Sequence, residues 1–215
     1  MRKLKIAITG ANGMLGASLC SLYHHSHVVY AIHRNRAALA PCSLDLNCDL
    51  KDVTSLGAGL TKFKPDIVIH CAACVDLEIC EGDPELAYQA NVEVTENVVR
   101  ACPDETTLVY ISTDQVYGDN PDHSESHEGL KPLNVYGSTK LEGERAVLSG
   151  HAKALIVRTN IFGLSTKADR VNSTEWMLDA LKKHEAITLF NDYWFSPIYT
   201  ELLGRKLLEL IELEV

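Results

Sequence analysis

The sequence predicts an α/β fold built on a doubly wound parallel sheet. Five short runs, Leu4–Thr9, Val28–His33, Ile67–Cys71, Leu108–Ser112 and Ala154–Arg158, are rich in Ile, Val and Ala and almost continuously apolar. Strands buried on both faces read this way. Between them Met14–Tyr23, Pro84–Ala101 and Leu133–Leu148 carry helical spacing, and the βαβαβ rhythm implies right-handed crossovers that cover the sheet. A glycine-rich turn joins the first run to the first helix.

That turn is Thr9-Gly10-Ala11-Asn12-Gly13-Met14-Leu15-Gly16. Gly10 allows the tight bend, Gly13 lets backbone approach a pyrophosphate, and Gly16 lets helix and strand pack closely. The side chains of Met14 and Leu15 read as structural, with their amides toward the phosphates. After the second run comes His33-Arg34-Asn35-Arg36. A cofactor lacking a 2′-phosphate wants an acid there, whereas arginine suits the phosphate. Arg34 is the first candidate and Arg36 the second, so NADP(H) is expected and NAD(H) is left open. Asp83 before Pro84 marks a helix start. Gly118–Pro132 and Gly163–Asn172 read as solvated loops at the carboxyl edge of the sheet, where such folds bind ligands. His123 and His127 fall in the first of them. The chain ends in an amphipathic helix, about Thr200–Leu213.

Tyr136 and Lys140 stand four residues apart on a predicted helix and share a face. Thr113 lies just past the Leu108–Ser112 run, at the same sheet edge. Reduction of a ketone builds charge on its oxygen and needs a proton there. A phenol with an ordinary pKa near 10 is a sluggish donor, and a nearby ammonium lowers it. Lys140 can also hold ribose hydroxyls, while Thr113 orients the carbonyl.

Composition sets the frame around this chemistry. The 215 residues are 46% hydrophobic and carry a net charge of −9 from 20 Lys+Arg and 29 Asp+Glu. A chain this long buries a core without a metal or disulfide staple. Its acidity argues against nucleic acid or anionic membrane as partner. No apolar stretch reaches the ~18 residues of a membrane span. Seven cysteines, an odd number spread along the chain, suit a reduced, cytoplasmic protein rather than a disulfide framework. The CxxC of Cys71 and Cys74, with Cys80 nearby, and the cluster of His24, His25 and His27 lack the ligands of a metal site, so no metal is expected. Exposed helix faces leave a homodimer open.

The glycine turn, His70-Cys71-Ala72-Ala73, STDQVYG (112–118), YGSTK (136–140) and RTNIFG (158–163) together resemble the extended short-chain dehydrogenase/reductase superfamily. Val75-Asp76, Asn91-Val92, PLNVYG (132–137) and Phe195-Ser196-Pro197 resemble its dTDP-4-dehydrorhamnose reductase subgroup. The resemblance implies a Rossmann domain over residues 1–160. Residues 161–215 would be the start of a small, truncated substrate-binding part, with the terminal helix packing on the core. It implies NADPH-dependent reduction of the 4-keto group of a nucleotide-linked deoxysugar, with Thr113, Tyr136 and Lys140 catalytic. Gly10, Asn12, Gly13, Met14, Leu15 and Gly16 would hold the pyrophosphate, and Asp49 and Leu50 would flank the adenine. Cys71, Ala72, Ala73 and Cys74 would line the cofactor's middle, with Tyr136 and Lys140 at its nicotinamide end. Thr113, Asp114, Asn160 and Ile161 would face the sugar, the last two just after a strand. Ile161 stands where the rhamnose enzymes carry tryptophan, which leaves the sugar open. Family members continue for several tens of residues past Ser196-Pro197, so a fragment is implied. Two other activities share these motifs: a nucleotide-sugar epimerase or dehydratase, for which Asp114-Gln115 offers an acid but no adjacent glutamate, and a non-catalytic NADP-binding regulatory subunit of the kind found with methionine adenosyltransferase.

Overall fold

The computed structural model describes residues 2–34, 37–120, 123–165, 171–192 and 195–214. Its strands are β1 (Lys5–Thr9), β2 (Val28–His33), β3 (Leu44–Asn47), β4 (Ile67–His70), β5 (Thr107–Thr113), β6 (Ala154–Phe162) and β7 (Pro197–Tyr199). They form one sheet in the order β3-β2-β1-β4-β5-β6-β7, and every pairing is parallel. The helices are α1 (Met14–Tyr23), α2 (Val53–Phe63), α3 (Leu77–Gly82), α4 (Pro84–Tyr88), α5 (Val94–Ala101), α6 (Val135–Gly150), α7 (Ser173–Lys183) and α8 (Thr200–Glu214). A single π-helical turn, Gln89–Glu93, joins α4 to α5.

Alternate strand residues feed two cores, as the period of two in a pleated strand requires. Ile6, Ile8, Ile67, Ile69, Val109 and Ile111 pack against Leu15 and Leu19 of α1 and Leu203, Leu207 and Ile211 of α8. Ala7, Ile32, Val68, Leu108 and Tyr110 pack against Leu56 and Leu60 of α2, Val98 of α5 and Val147 of α6. The sheet is thus covered on both faces, which explains why its central strands read as continuous apolar runs. The doubly wound α/β expectation holds.

Several boundaries differ from the sequence reading. β6 runs on through Asn160 and Ile161, because these residues pair with Pro197 and Ile198 of β7; they lie within a strand, not after it. Pro84–Ala101 is not one regular helix but α4, the π turn and α5. β3, α2, α3, α7 and β7 were not anticipated. Of the Gly163–Asn172 loop, residues 166–170 lie outside the described residues.

The order β2-β1-β4-β5 reverses direction between β1 and β4, and the carboxyl ends of those strands are where open α/β sheets form their crevice. The backbone there is tight. Gly10 has φ +64°, and a Cβ on it would stand 2.7 Å from the amide nitrogen of Ala72. Gly10→Ala is therefore expected to cost about 1–3 kcal/mol for the left-handed conformation, plus the displacement of the Ala72 turn. Urea unfolding of the variant checks this.

Candidate active site

The glycine turn ends at Gly13, whose amide donates to the Gly10 carbonyl at 2.8 Å. Helix α1 starts here with no side-chain cap, so its first-turn N–H groups form a positive end at the sheet edge. A Cβ on Gly13 would meet only the Gly10 carbonyl, at 3.2 Å, whereas one on Gly16 would stand 2.3 Å from it. Gly13 keeps the approach open; Gly16 keeps the helix close. Leu15 is buried in the core and Met14 is half-buried. Asn12 spends its side chain on the segment after β2, donating to the Ala37 carbonyl at 3.1 Å and accepting from the Leu39 amide at 2.9 Å.

Arg34 follows β2 with its side chain 65% exposed and 3.9 Å from the Asp49 carboxylate. Arg34 and Asp49 are thus paired after β2, Leu50 packs against the core under α2, and Arg36 lies outside the described residues. Cys71 to Cys74 form the turn after β4, directly against Gly10. An uncapped helix start, a glycine cradle and an exposed arginine beyond it fit the pyrophosphate and 2′-phosphate of a dinucleotide.

Thr113 ends β5, Tyr136 lies in the first turn of α6, and Lys140 follows one turn later. Asn134 caps that helix by accepting from the Gly137 amide. The Tyr136 phenol lies near enough to Thr113 for that hydroxyl to influence its proton affinity. Asp114 accepts from Thr113 Oγ1 at 3.2 Å and from Asn160 Nδ2 at 3.1 Å. Thr113, Asp114 and Asn160 are therefore one hydrogen-bonded group, with the Tyr136 phenol beside it. Ile161 packs toward the α1 face of the core.

The electrostatics differ from the sequence expectation. Burial pushes the Tyr136 phenol up to about 12, against the lowering effect of the nearby Thr113 hydroxyl, and the Asp114 carboxylate raises it further. The predicted fall caused by Lys140 is not found, because that ammonium lies elsewhere. Lys140 is 2% exposed, and its Nζ sits 4.0 Å over the ring of Tyr110. Burial brings its pKa down to about 7, with Cys71 and Glu144 opposing. His70 beside it is held down to about 3 by burial and by Lys140, with its ring nitrogens on Thr9 and Thr95.

A lysine whose pKa falls on folding binds fewer protons in the folded chain than in the unfolded one. Between about pH 7 and 10.5 its contribution to stability therefore rises with pH. The stability of the native protein relative to Lys140→Met is expected to climb from about pH 7 to 8.5, by at most about 1.4 kcal/mol per pH unit. Urea unfolding at spaced pH values measures this difference; a flat one contradicts the buried amine.

Four supporting residues were not picked out by sequence reasoning. Tyr110 carries the ammonium of Lys140, and a Cβ on Gly143 would stand 2.2 Å from its hydroxyl. Asn91, in the π turn, accepts from the Cys74 amide at 2.7 Å and donates to the Cys74 carbonyl and to Thr139, both at 3.0 Å. Glu144 and Arg158 form a buried ion pair at 2.8 Å, and Ser112 donates to Glu144 at 2.5 Å. Arg158 also donates to the carbonyls of Ser124 and Ser126 and meets His127 at 3.0 Å, while His123 stacks on Tyr117. The 123–127 part of the 118–132 loop, read from sequence as solvated, is thus pinned by a buried arginine. The RTNIFG motif that contains Arg158 was the signal available for it.

Among the described residues, no group of three or more His, Cys, Asp or Glu side chains could hold a metal ion, and no helix is long and apolar enough to cross a membrane.

Residues 4–215 match the family described as RmlD substrate binding domain. The chain belongs to this family. It is 30% identical over 210 residues to the probable low-salt glycan biosynthesis reductase Agl14 of Haloferax volcanii, covering 95% of this chain and 70% of that one. It is 38% identical over 157 residues to methionine adenosyltransferase 2 subunit beta of Xenopus tropicalis, covering 72% of this chain and 46% of that protein. Among solved structures, a Bacillus anthracis dTDP-4-dehydrorhamnose reductase in complex with NADP aligns with a TM-score of 0.81 at 30% identity, over 99% of this chain and 72% of that one. The resemblance read from the ordered motifs is borne out at the level of family and fold.

Proposed function

We infer that the protein is an NADPH-dependent reductase of the 4-keto group of a nucleotide-linked deoxysugar. The observation that carries this reading is the hydrogen-bonded group of Thr113, Asp114 and Asn160 at the sheet edge, with the Tyr136 phenol beside it and Lys140 buried one helical turn further on. Membership of a family whose named relatives include reductases supports it.

In this reading the first turn of α1 holds the pyrophosphate, Arg34 meets the 2′-phosphate, and the 71–74 turn borders the cofactor's middle. When bound, NADPH supplies the hydride. On substrate binding Thr113 turns its single hydroxyl proton from Asp114 to the carbonyl oxygen and orients it. Tyr136 releases its phenolic proton to that oxygen as charge develops there, which yields the alcohol. A phenol held near 12 stays protonated at neutral pH and is loaded as the acid. Lys140, one turn along the same helix and held over the Tyr110 ring, is placed to hold the ribose hydroxyls at the nicotinamide end. Asp114 and Asn160 fix the position of Thr113 and contact the sugar ring. Within residues 161–215, β7 pairs with the sheet and α8 packs on its core; the remainder would serve the substrate-binding part. The seven free cysteines support a cytoplasmic setting.

The test is stoichiometry. Incubation with NADPH and a dTDP-linked 4-keto-6-deoxysugar is expected to oxidise one NADPH per alcohol formed. Sugar conversion without net NADPH loss would instead mean an epimerase or dehydratase. The match to methionine adenosyltransferase 2 subunit beta favours a second reading, a cofactor-binding regulatory subunit, and NADPH binding with no turnover of any 4-keto sugar would establish it.

A further inference from the structure

Cys74 and Cys80 are both free, and their Sγ atoms are 3.8 Å apart. Cys74 is half-buried in the turn after β4, whereas Cys80 is fully buried on α3 and donates its thiol to the Cys74 carbonyl at 3.6 Å. Asymmetry of this kind gives one accessible thiol and one enclosed partner in contact with it. Both sulfurs lie close enough to Tyr136 to influence its phenol.

We propose that Cys74 and Cys80 are a covalent modification site for low-molecular-weight disulfides, closing to an intramolecular disulfide that disturbs the cofactor crevice. The Cys74 thiolate attacks one sulfur of oxidised glutathione, its S–S bond breaks, and one glutathione leaves with the electron pair and takes a proton from water. Cys80 then gives its proton to solvent and attacks the Cys74 sulfur, and the second glutathione departs. Two protein thiols are oxidised and one glutathione disulfide is reduced to two thiols. Cys74 is the accessible thiol and Cys80 is enclosed against it, so Cys74 attacks first and Cys80 resolves.

Closure draws the sulfurs from 3.8 Å to about 2.05 Å, and the fold transmits that movement in two directions. The Cys74 backbone is held at both its N–H and its C=O by Asn91, which also bonds Thr139 next to Lys140. Glu81, next to Cys80, accepts from the Val135 amide at 2.7 Å, one residue before Tyr136. The bond therefore pulls on the turn that borders the cofactor and on the start of the helix that carries the phenol.

The effect on cofactor affinity rests on the reading above; formation of the bond does not. The reduced protein is incubated with oxidised glutathione, and free thiols are titrated. Non-reducing peptide mapping then locates any cross-link, NADPH affinity is measured, and amide spectra are recorded. Two of the seven thiols are expected to disappear into a 74–80 cross-link. NADPH affinity should fall at least tenfold and return with dithiothreitol, and the Val135 and Tyr136 amides should shift whether or not cofactor is present. Cys80→Ser should stop at a glutathione adduct on Cys74. Seven remaining thiols, a cross-link between other cysteines, or a 74–80 bond that leaves those two amides unmoved would overturn the inference. NADPH binding without sugar reduction would sink the proposed function and leave this site standing.

Discussion

Tyr136→Phe is expected to lower turnover of the 4-keto sugar by about 10²- to 10⁴-fold, the usual contribution of a positioned proton donor. The phenol hydroxyl is the group removed, and it stands beside Thr113. The ring stays on α6, so folding and NADPH affinity should remain within about twofold. Steady-state NADPH oxidation against fluorescence-monitored cofactor binding separates the two quantities. Retained turnover would reject the assignment of Tyr136 as acid.

The second large effect is on stability. Glu144 has a fully buried side chain, and that of its partner Arg158 is 7% exposed. Arg158→Met leaves a carboxylate enclosed without its cation, which costs roughly 3–5 kcal/mol. It also frees the Ser124 and Ser126 carbonyls that Arg158 pins. The double variant with Glu144→Met removes the stranded charge and should recover much of the loss. Urea unfolding of both variants tests the sign of that recovery. Protease cleavage within the 123–127 segment should accelerate in both, because both lose the arginine.

The central strands were legible because sheets covered on both faces demand unbroken apolar runs. Ile6, Ile8, Ile67 and Ile69 advertise that burial directly. β3 was not legible, since Leu44-Asp45-Leu46-Asn47 is an edge strand with mostly exposed residues, and β7 is only three residues long. Helix α2 carries Gly57 and Gly59, which dilute its pattern. In the candidate site, Thr113, Tyr136 and Lys140 were visible as a known spacing of residue types. Their supports were not, because Asn91, Tyr110, Glu144 and Arg158 come from four separate elements and meet only in three dimensions. The pKa of Tyr136 was misjudged for a related reason. Sequence spacing shows that the lysine shares its face, but not that the Tyr110 ring holds the ammonium.

The π turn has a consequence for chain length. A regular helix advances about 100° per residue, and the wider turn at Gln89–Glu93 accommodates one residue more than regular winding would. Excising Ala90 would let Pro84 through Ala101 wind evenly, yet it would swing Asn91 away from the backbone of Cys74. The spacing between these segments is therefore fixed to the single residue, and even a conservative deletion there would unlatch the crevice from the helix that faces it.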